Sequence, residues 1–476
     1  MNTDQPIQEM FQINENIELD DYLEQITIDD IPCSKSDISQ LNESASSLRF
    51  QYDGSKLYRL SSPQTGFLVK VAFRCSDRNL PLTLSSNFFQ HMFKSFRSSL
   101  KDKEVERVNF PYIVSDILYH LEDDDFRNHS GESVTFIPDT SKNPDINLCN
   151  TTTFLATAVG NAEGIVNTIS NKSLSINPNF NAGLKRRCDL LNYVVGDNTT
   201  NRYFTFFIPL YRIFSFCELN KLLKYVPFEI DITREDLTKR QRVIYGSEGD
   251  IEFGNGANNC GLNKISLRLE IIHPRADLMS SLESDFNKKT LKYSYLKRSC
   301  EEVLISASQT FCWRKYCSVN SDGTPRFLFV VFKPSEINNT TAINYQKFIQ
   351  ANIKNITVNF RGNSYPYRNQ LGNFDENNFA SFYNDFISVG KSMGKENIAL
   401  SMKDFRDLFT IYSFDLTSQS FNNNALNLSV DIERESVPAN DNNYTNPKIF
   451  FVILLFYHQW EFRYNLKPVK SNSFND

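Results

Sequence analysis

Residues 203–237 read YFTFFIPLYRIFSFCELNKLLKYVPFEIDITREDL, and the fold class turns on them. The stretch opens with an aromatic and β-branched run, Tyr203 to Leu210, interrupted by Pro209. It closes on Phe228, Ile230 and Ile232 alternating with Glu229, Asp231 and Thr233, the pattern of a half-buried strand. Between them, Ile213, Phe214, Leu222, Leu223 and Val226 suit one face of a helix. Pro209 and Pro227 mark the joints, since the residue before a proline is pushed toward extended backbone. The expectation is strand, short helix, strand. No residue in the stretch has the chemistry of an active site, so it is read as architecture.

Working outward, further segments read as strands. In FLVKVAF the residues Phe67, Val69, Val71 and Phe73 share a face. Phe88, Phe89, Phe93 and Phe96 precede a strand with a charged turn at 101–103, and Ile113, Ile117, Leu118 and Leu121 then fall at helical spacing. Ile265, Leu267, Leu269 and Ile271 alternate up to Pro274. FLFVVF (327–332), NITVNF (355–360) and LNLSVDIE (426–433) follow. KIFFVILLFYHQWEFRY (448–464) is apolar almost throughout, as a strand covered on both faces should be. Its apolar core, 449–457, is too short to cross a bilayer. Residues 126–200 and 246–263 are polar and loop-like; Gly254 and Gly256 do not make a dinucleotide fingerprint, because no helix follows them.

Composition narrows the function. With 40 Phe and 21 Tyr in 476 residues the chain favours sheet and can fill large cores. A net charge of −5 argues against a surface built to coat nucleic acid. Nine cysteines without repeated spacing, and a lone C-x4-C pair at Cys312 and Cys317, read as free thiols and not as a zinc site. The first residues carry neither a basic nor an apolar leader region, so a chain made and kept inside the cell is expected. Residues 1–46 are acidic and are expected to form a disordered N-terminal arm. A first β domain is expected over 47–275, a charged linker over 276–292 and a second β domain over 293–476. The acidic run 122–125 reads as a solvated helix end.

The two halves repeat an order of features: strand, polar turn, then Phe110-Pro111-Tyr112 or Tyr365-Pro366-Tyr367, then a stretch leading to a helix (113–121 and 379–389). Many short strands, long loops and no repeated βα units argue for sandwiches.

These residues also carry a family resemblance. The segments NFFQHMFKSFRSSLKDKEVE (87–106), FFIPLYRIFSFCELNKLLKYVPFEIDITRED (206–236) and TPRFLFVVFKP (324–334) are followed by the 355–386 stretch. FTIYSFDLTSQSF (409–421), ALNLSVDIE (425–433) and FFVILLFYHQWEFRYNLKPV (450–469) complete the series. In this order they resemble the double jelly-roll major capsid proteins of the adenovirus–tectivirus lineage, nearest those of Polinton (Maverick) elements, adintoviruses and virophages. The resemblance implies an all-β fold of two consecutive eight-stranded jelly rolls with short helices and long loop insertions. It implies a homotrimer forming a pseudo-hexagonal capsomer of an icosahedral virion shell. Partners would be neighbouring capsomers, penton and minor capsid proteins, with no specific nucleic-acid binding and no membrane span.

No catalytic, cofactor or metal residue is assigned. His91, His120, His129, His273 and His458 are isolated along the sequence and are read as structural or solvent-exposed. A cupin-type metal site could draw only on His120 and His129, with an acidic segment between. A carbohydrate-binding double sandwich is the alternative; it would display aromatic clusters on loops, whereas Trp313 and Trp460 both lie in strand-like runs.

Overall fold

The structure is a computed structural model. It describes residues 23–74, 82–140, 181–190, 201–236, 244–246, 252–253, 259–276, 278–282, 290–305, 309–317, 323–333, 346–366, 371–417, 426–435 and 449–463. Sixteen of the described strands fall into two sets of eight. The first set is β1 (Leu23–Pro32), β2 (Ser47–Tyr52), β3 (Gly66–Arg74), β4 (Phe93–Leu100), β5 (Lys103–Asn109), β6 (Asn201–Pro209), β7 (Phe228–Arg234) and β8 (Asn259–Pro274). The second is β9 (Thr290–Leu304), β10 (Thr310–Cys317), β11 (Thr324–Lys333), β12 (Ile353–Phe360), β13 (Asn363–Tyr365), β14 (Tyr412–Asp415), β15 (Leu426–Arg434) and β16 (Ile449–Arg463).

The pairings repeat with an offset of eight. In the first set β1–β8–β3–β6 form one sheet and β2–β7–β4–β5 the other. In the second, β9–β16–β11–β14 and β10–β15–β12–β13 do the same. All these ladders are antiparallel, and among the described strands none joins the two sets. In each set the first strand pairs with the eighth, the third with the eighth and sixth, the second with the seventh, and the fourth with the seventh and fifth. That is the strand order of a jelly roll, present twice.

Each sandwich is filled from its two inner faces. Phe67, Val69 and Val71 of β3 are all buried, as their alternation requires. Phe89, in a single helical turn at Phe88–His91, meets Phe93 at 5.1 Å and Phe67 at 6.3 Å, and Phe93 meets Phe96 at 5.2 Å. In β16 every residue from Phe450 to Phe456 is at most 2% exposed. One face of β16 fills the sandwich; its other face meets residues of the first half, with Phe451 packed 5.4 Å from Phe110.

The deciding stretch 203–237 folds as strand, helical turns and strand, with one difference. Helix is confined to Leu210–Ile213 and a 3-10 turn at Ser215–Glu218. Leu222–Leu223 instead forms a two-residue strand against Tyr58–Arg59. Two hairpins confirm the repeated turn. Lys101 and Asp102 both have positive φ (45° and 64°), as do Arg361 and Gly362 (53° and 82°), which suits the tight two-residue connection of twisted strands. Each hairpin leads, in the loop before the sixth strand of its set, to a helix: α1 (Pro111–His120), and further on α3 (Ala380–Ser392). A short α2 (Ala182–Leu190) and α4 (Met402–Asp407) complete the described helices used below. Pro111 occupies the first turn of α1, where its missing N–H costs nothing.

The N-terminal expectation needs correction. Of the arm expected to be disordered, residues 23–32 form β1, in register along β8 from Leu23↔Pro274 to Pro32↔Ser266. The remainder to residue 46 is also placed, including a turn of helix at Ile38–Leu41 that buries Leu41. Residues 1–22 lie outside the described residues, as do 283–289 of the expected linker; its last residues, from Thr290, already belong to β9. Within the stretch expected to be polar loop, Val134–Ile137 is buried without joining a sheet, and most of 141–200, Tyr367 and the glycines 254 and 256 are outside the description.

Candidate assembly site at the seam of the two sandwiches

The two sandwiches meet along β5, α1 and residues 210–218 on one side and β9, β16 and residues 393–409 on the other. At the centre is Glu106 of β5, fully buried. A register shift between Ser98 and Ser99 in the β4–β5 ladder breaks the alternation there, so that Val105 and Glu106 are both buried. Glu106 accepts backbone N–H bonds from Phe216 (3.1 Å) and from Arg298 (3.2 Å), and the Ser215 hydroxyl donates to it at 2.9 Å. Burial raises its carboxyl above the ordinary value; the Arg298 charge and these hydrogen bonds oppose the rise.

Arg298 of β9 holds the other side. Its guanidinium donates to the Ile213 carbonyl (2.7 Å), the Arg212 carbonyl (3.2 Å) and Glu218 (2.7 Å). Tyr295 donates its hydroxyl to the Val105 carbonyl at 2.9 Å, and Phe216 lies edge-on to Tyr293 and Tyr295. A second group of bonds joins the loop after α1 to the loop between α3 and α4. Glu122 accepts from Arg212 (2.6 Å) and Lys395 (2.9 Å), and its carbonyl takes the Ala399 N–H at 3.0 Å. Arg127 reaches the Ala399 carbonyl at 3.0 Å and Asp404 at 3.3 Å. The acidic run 122–125, expected to be solvated, therefore contributes its first residue to the seam. Asp123 stays exposed and accepts the Phe126 N–H at 2.8 Å.

Around the seam several buried groups are held away from water. Asp116 of α1 accepts from Asn87 at 2.8 Å and lies 3.8 Å from His91, which stacks on Tyr112. Burial lifts its carboxyl to about 7, against the pull of Lys333 and the Asn87 amide. His120 packs 4.0 Å from the Phe409 ring, and burial drives its imidazole well below the ordinary value. Asp116 faces the charge of Lys333 and His120 the ring of Phe409, both from the second sandwich, so these contacts favour one seating of one sandwich on the other.

The remaining histidines are dispersed. His129 is exposed beside Asp125 (3.2 Å), His273 hydrogen-bonds Thr27 at 3.0 Å, and His458 lies edge-on to Tyr295. His120 and His129 do not converge: one is buried under Phe409 and the other is solvated. Among the described residues no three His, Cys, Asp or Glu side chains come together as a metal site would require. Cys312 is exposed and Cys317 buried, while burial raises the thiols of Cys217 and Cys300 well above their ordinary value. No described helix is long and apolar enough to cross a membrane.

One repeat escaped the reading of the sequence. Ile230-Asp231-Ile232-Thr233-Arg234-Glu235 at the end of β7 and Val430-Asp431-Ile432-Glu433-Arg434-Glu435 at the end of β15 share the pattern aliphatic-Asp-Ile-x-Arg-Glu. Both arginines are fully buried. Arg234 donates to the Met92 carbonyl (3.3 Å) ahead of β4, and Arg434 to the Ala351 carbonyl (3.0 Å) ahead of β12. The next N–H closes on the same strand entry in both cases, Glu235 on Met92 and Glu435 on Asn352. The pattern was visible, but a search keyed on aromatic-Pro-Tyr passed over it.

Comparison with known proteins agrees with this geometry. A family model described as the double jelly roll-like domain matches residues 156–446. No curated protein matches the chain. Among solved structures, that of the Sputnik virophage is 10% identical, with a TM-score of 0.56, covering 97% of this chain and 92% of the other. The Faustovirus major capsid protein is 8% identical (TM-score 0.51; 95% and 93% covered), and the mavirus major capsid protein 9% (0.50; 93% and 89%). At such identities the likeness is one of fold. With two jelly rolls of equivalent strand order and a family model spanning more than half its length, the chain belongs to the double jelly roll-like domain family.

Proposed function

We propose that this protein is the major capsid protein of a virus or virus-like element, three copies forming a pseudo-hexagonal capsomer that tiles an icosahedral shell. The observation that carries the reading is the duplication of one eight-stranded sandwich, with the copies fastened by the buried Glu106–Arg298 seam. Two like sandwiches per chain give six per trimer, which is the count a pseudo-six-fold tile needs. Solved structures of similar fold include two proteins described as major capsid proteins. The role is structural and not enzymatic. The first jelly roll starts at Leu23 and ends by residue 275; the second fills most of 293–476 and takes its first strand from Thr290. Partners are other copies of the chain, with penton and minor capsid proteins at the vertices and seams of the shell. The protein is made inside the host cell and ends in the virion.

The test is the mass of the purified protein by light scattering across a concentration series. A stable species of three times the chain mass is expected. A monomer at the highest concentration overturns the trimer.

A further inference from the structure

The seam opens on one side into a cavity of about 310 Å³. Its walls come from both sandwiches. Leu118, Leu296, Met393 and Leu455 supply apolar surface, and Tyr119 and Tyr211 frame it. Arg212, Arg298 and Lys395 face it alongside Glu122 and Glu218. Two of these cations share the one carboxylate of Glu122, while Arg298 takes Glu218, so the cavity carries an excess of positive charge. A site lined by apolar side chains with a few convergent charges is built for an amphipathic anion.

This chain carries such a group. Residues 1–22, MNTDQPIQEMFQINENIELDDY, hold Asp4, Glu9, Glu15, Glu18, Asp20 and Asp21 and no Lys or Arg, with Met10, Phe11, Ile13, Ile17 and Leu19 between the acids. The segment joins the fold at Leu23, where β1 begins. Extended, 22 residues reach about 70 Å, enough to cross the face of a domain or to reach a neighbouring copy. We propose that the acidic N-terminal segment, residues 1–22, docks in the cavity between the two sandwiches, setting a carboxylate against Arg212 and Lys395 and an apolar side chain against Leu296 and Met393.

The proposal goes beyond the capsid reading and does not need it; a monomer in light scattering would leave it standing. The test uses the full chain with a photo-cross-linking phenylalanine analogue at position 11, irradiated in solution and mapped by peptide mass spectrometry. Most cross-links are expected to fall on residues 211–218, 296–298 and 393–395. Yield should drop at least tenfold in the triple variant Glu18→Gln/Asp20→Asn/Asp21→Asn, which leaves every seam residue intact, and should drop likewise when salt is raised from 0.05 to about 0.5 M. Cross-links confined to other surfaces, or a yield indifferent to both the charge change and the salt, would overturn it.

Discussion

Asp116 sits on α1 with 4% of its surface exposed, facing Asn87, Ser115, His91 and the field of Lys333. Because burial raises its carboxyl to about 7, the folded chain keeps a proton that the unfolded chain releases at ordinary carboxylate pH. The stability this supplies is complete in acid and is lost as pH rises through 7. Between pH 6.5 and 8 the loss is about 1 kcal/mol. His120 titrates in the opposite sense: burial keeps its folded imidazole neutral while the unfolded one is still losing its proton above pH 6.5, so it offsets part of this loss. Urea unfolding at the two pH values should show the native chain losing about 1 kcal/mol more than Asp116→Asn. An unchanged difference in the variant would mean that another group titrates. Nothing in the sequence marked Asp116, Glu106 or Arg298. A strand or helix pattern shows which face is polar but not that a second sandwich will cover it. Arg234 and Arg434 were legible in principle, since both stand fifth in the same six-residue pattern.

At the scale of elements, legibility followed the number of neighbours a strand has. β16 lies between β9 and β11 and packs on both faces, so its sequence is apolar throughout and its place was plain. Among the described strands β1 pairs only with β8, and most of its residues stay at least partly exposed, with Ile26 at 46% and Ile28 at 44%. Its sequence, LEQITIDDIP, could therefore keep acids along its length and read as an arm. Strand β14 is short and stands at the edge of its sheet, yet its inner face is packed. Phe414 opposes Leu328 of β11 and is 5% exposed. Phe414→Ser should lower stability by about 3–5 kcal/mol, the usual cost of losing a buried aromatic. A melting curve identical to that of the native chain would show that the strand is not packed as described.

The whole molecule consists of two like sandwiches joined along one seam. Strand order repeats from β1–β8 to β9–β16, the tight turns repeat, and the buried arginines repeat. What differs is decoration. The loop before β6 carries α1 and α2, and the loop before β14 carries α3 and α4; these insertions meet across the seam through Glu122, Lys395, Arg127 and Asp404. Fold and duplication were open to a reader of the sequence because alternation and turn chemistry are local. The seam was not, because it depends on which surfaces of two folded units meet. The measurement that bears most directly on the account is electron cryomicroscopy of the purified oligomer, viewed down its symmetry axis. The account predicts a three-fold particle with six upright sandwich densities in a hexagonal outline, two per chain, touching along the Glu106–Arg298 seam. A particle without three-fold symmetry, or one in which the two sandwiches of a chain are separated, would contradict it.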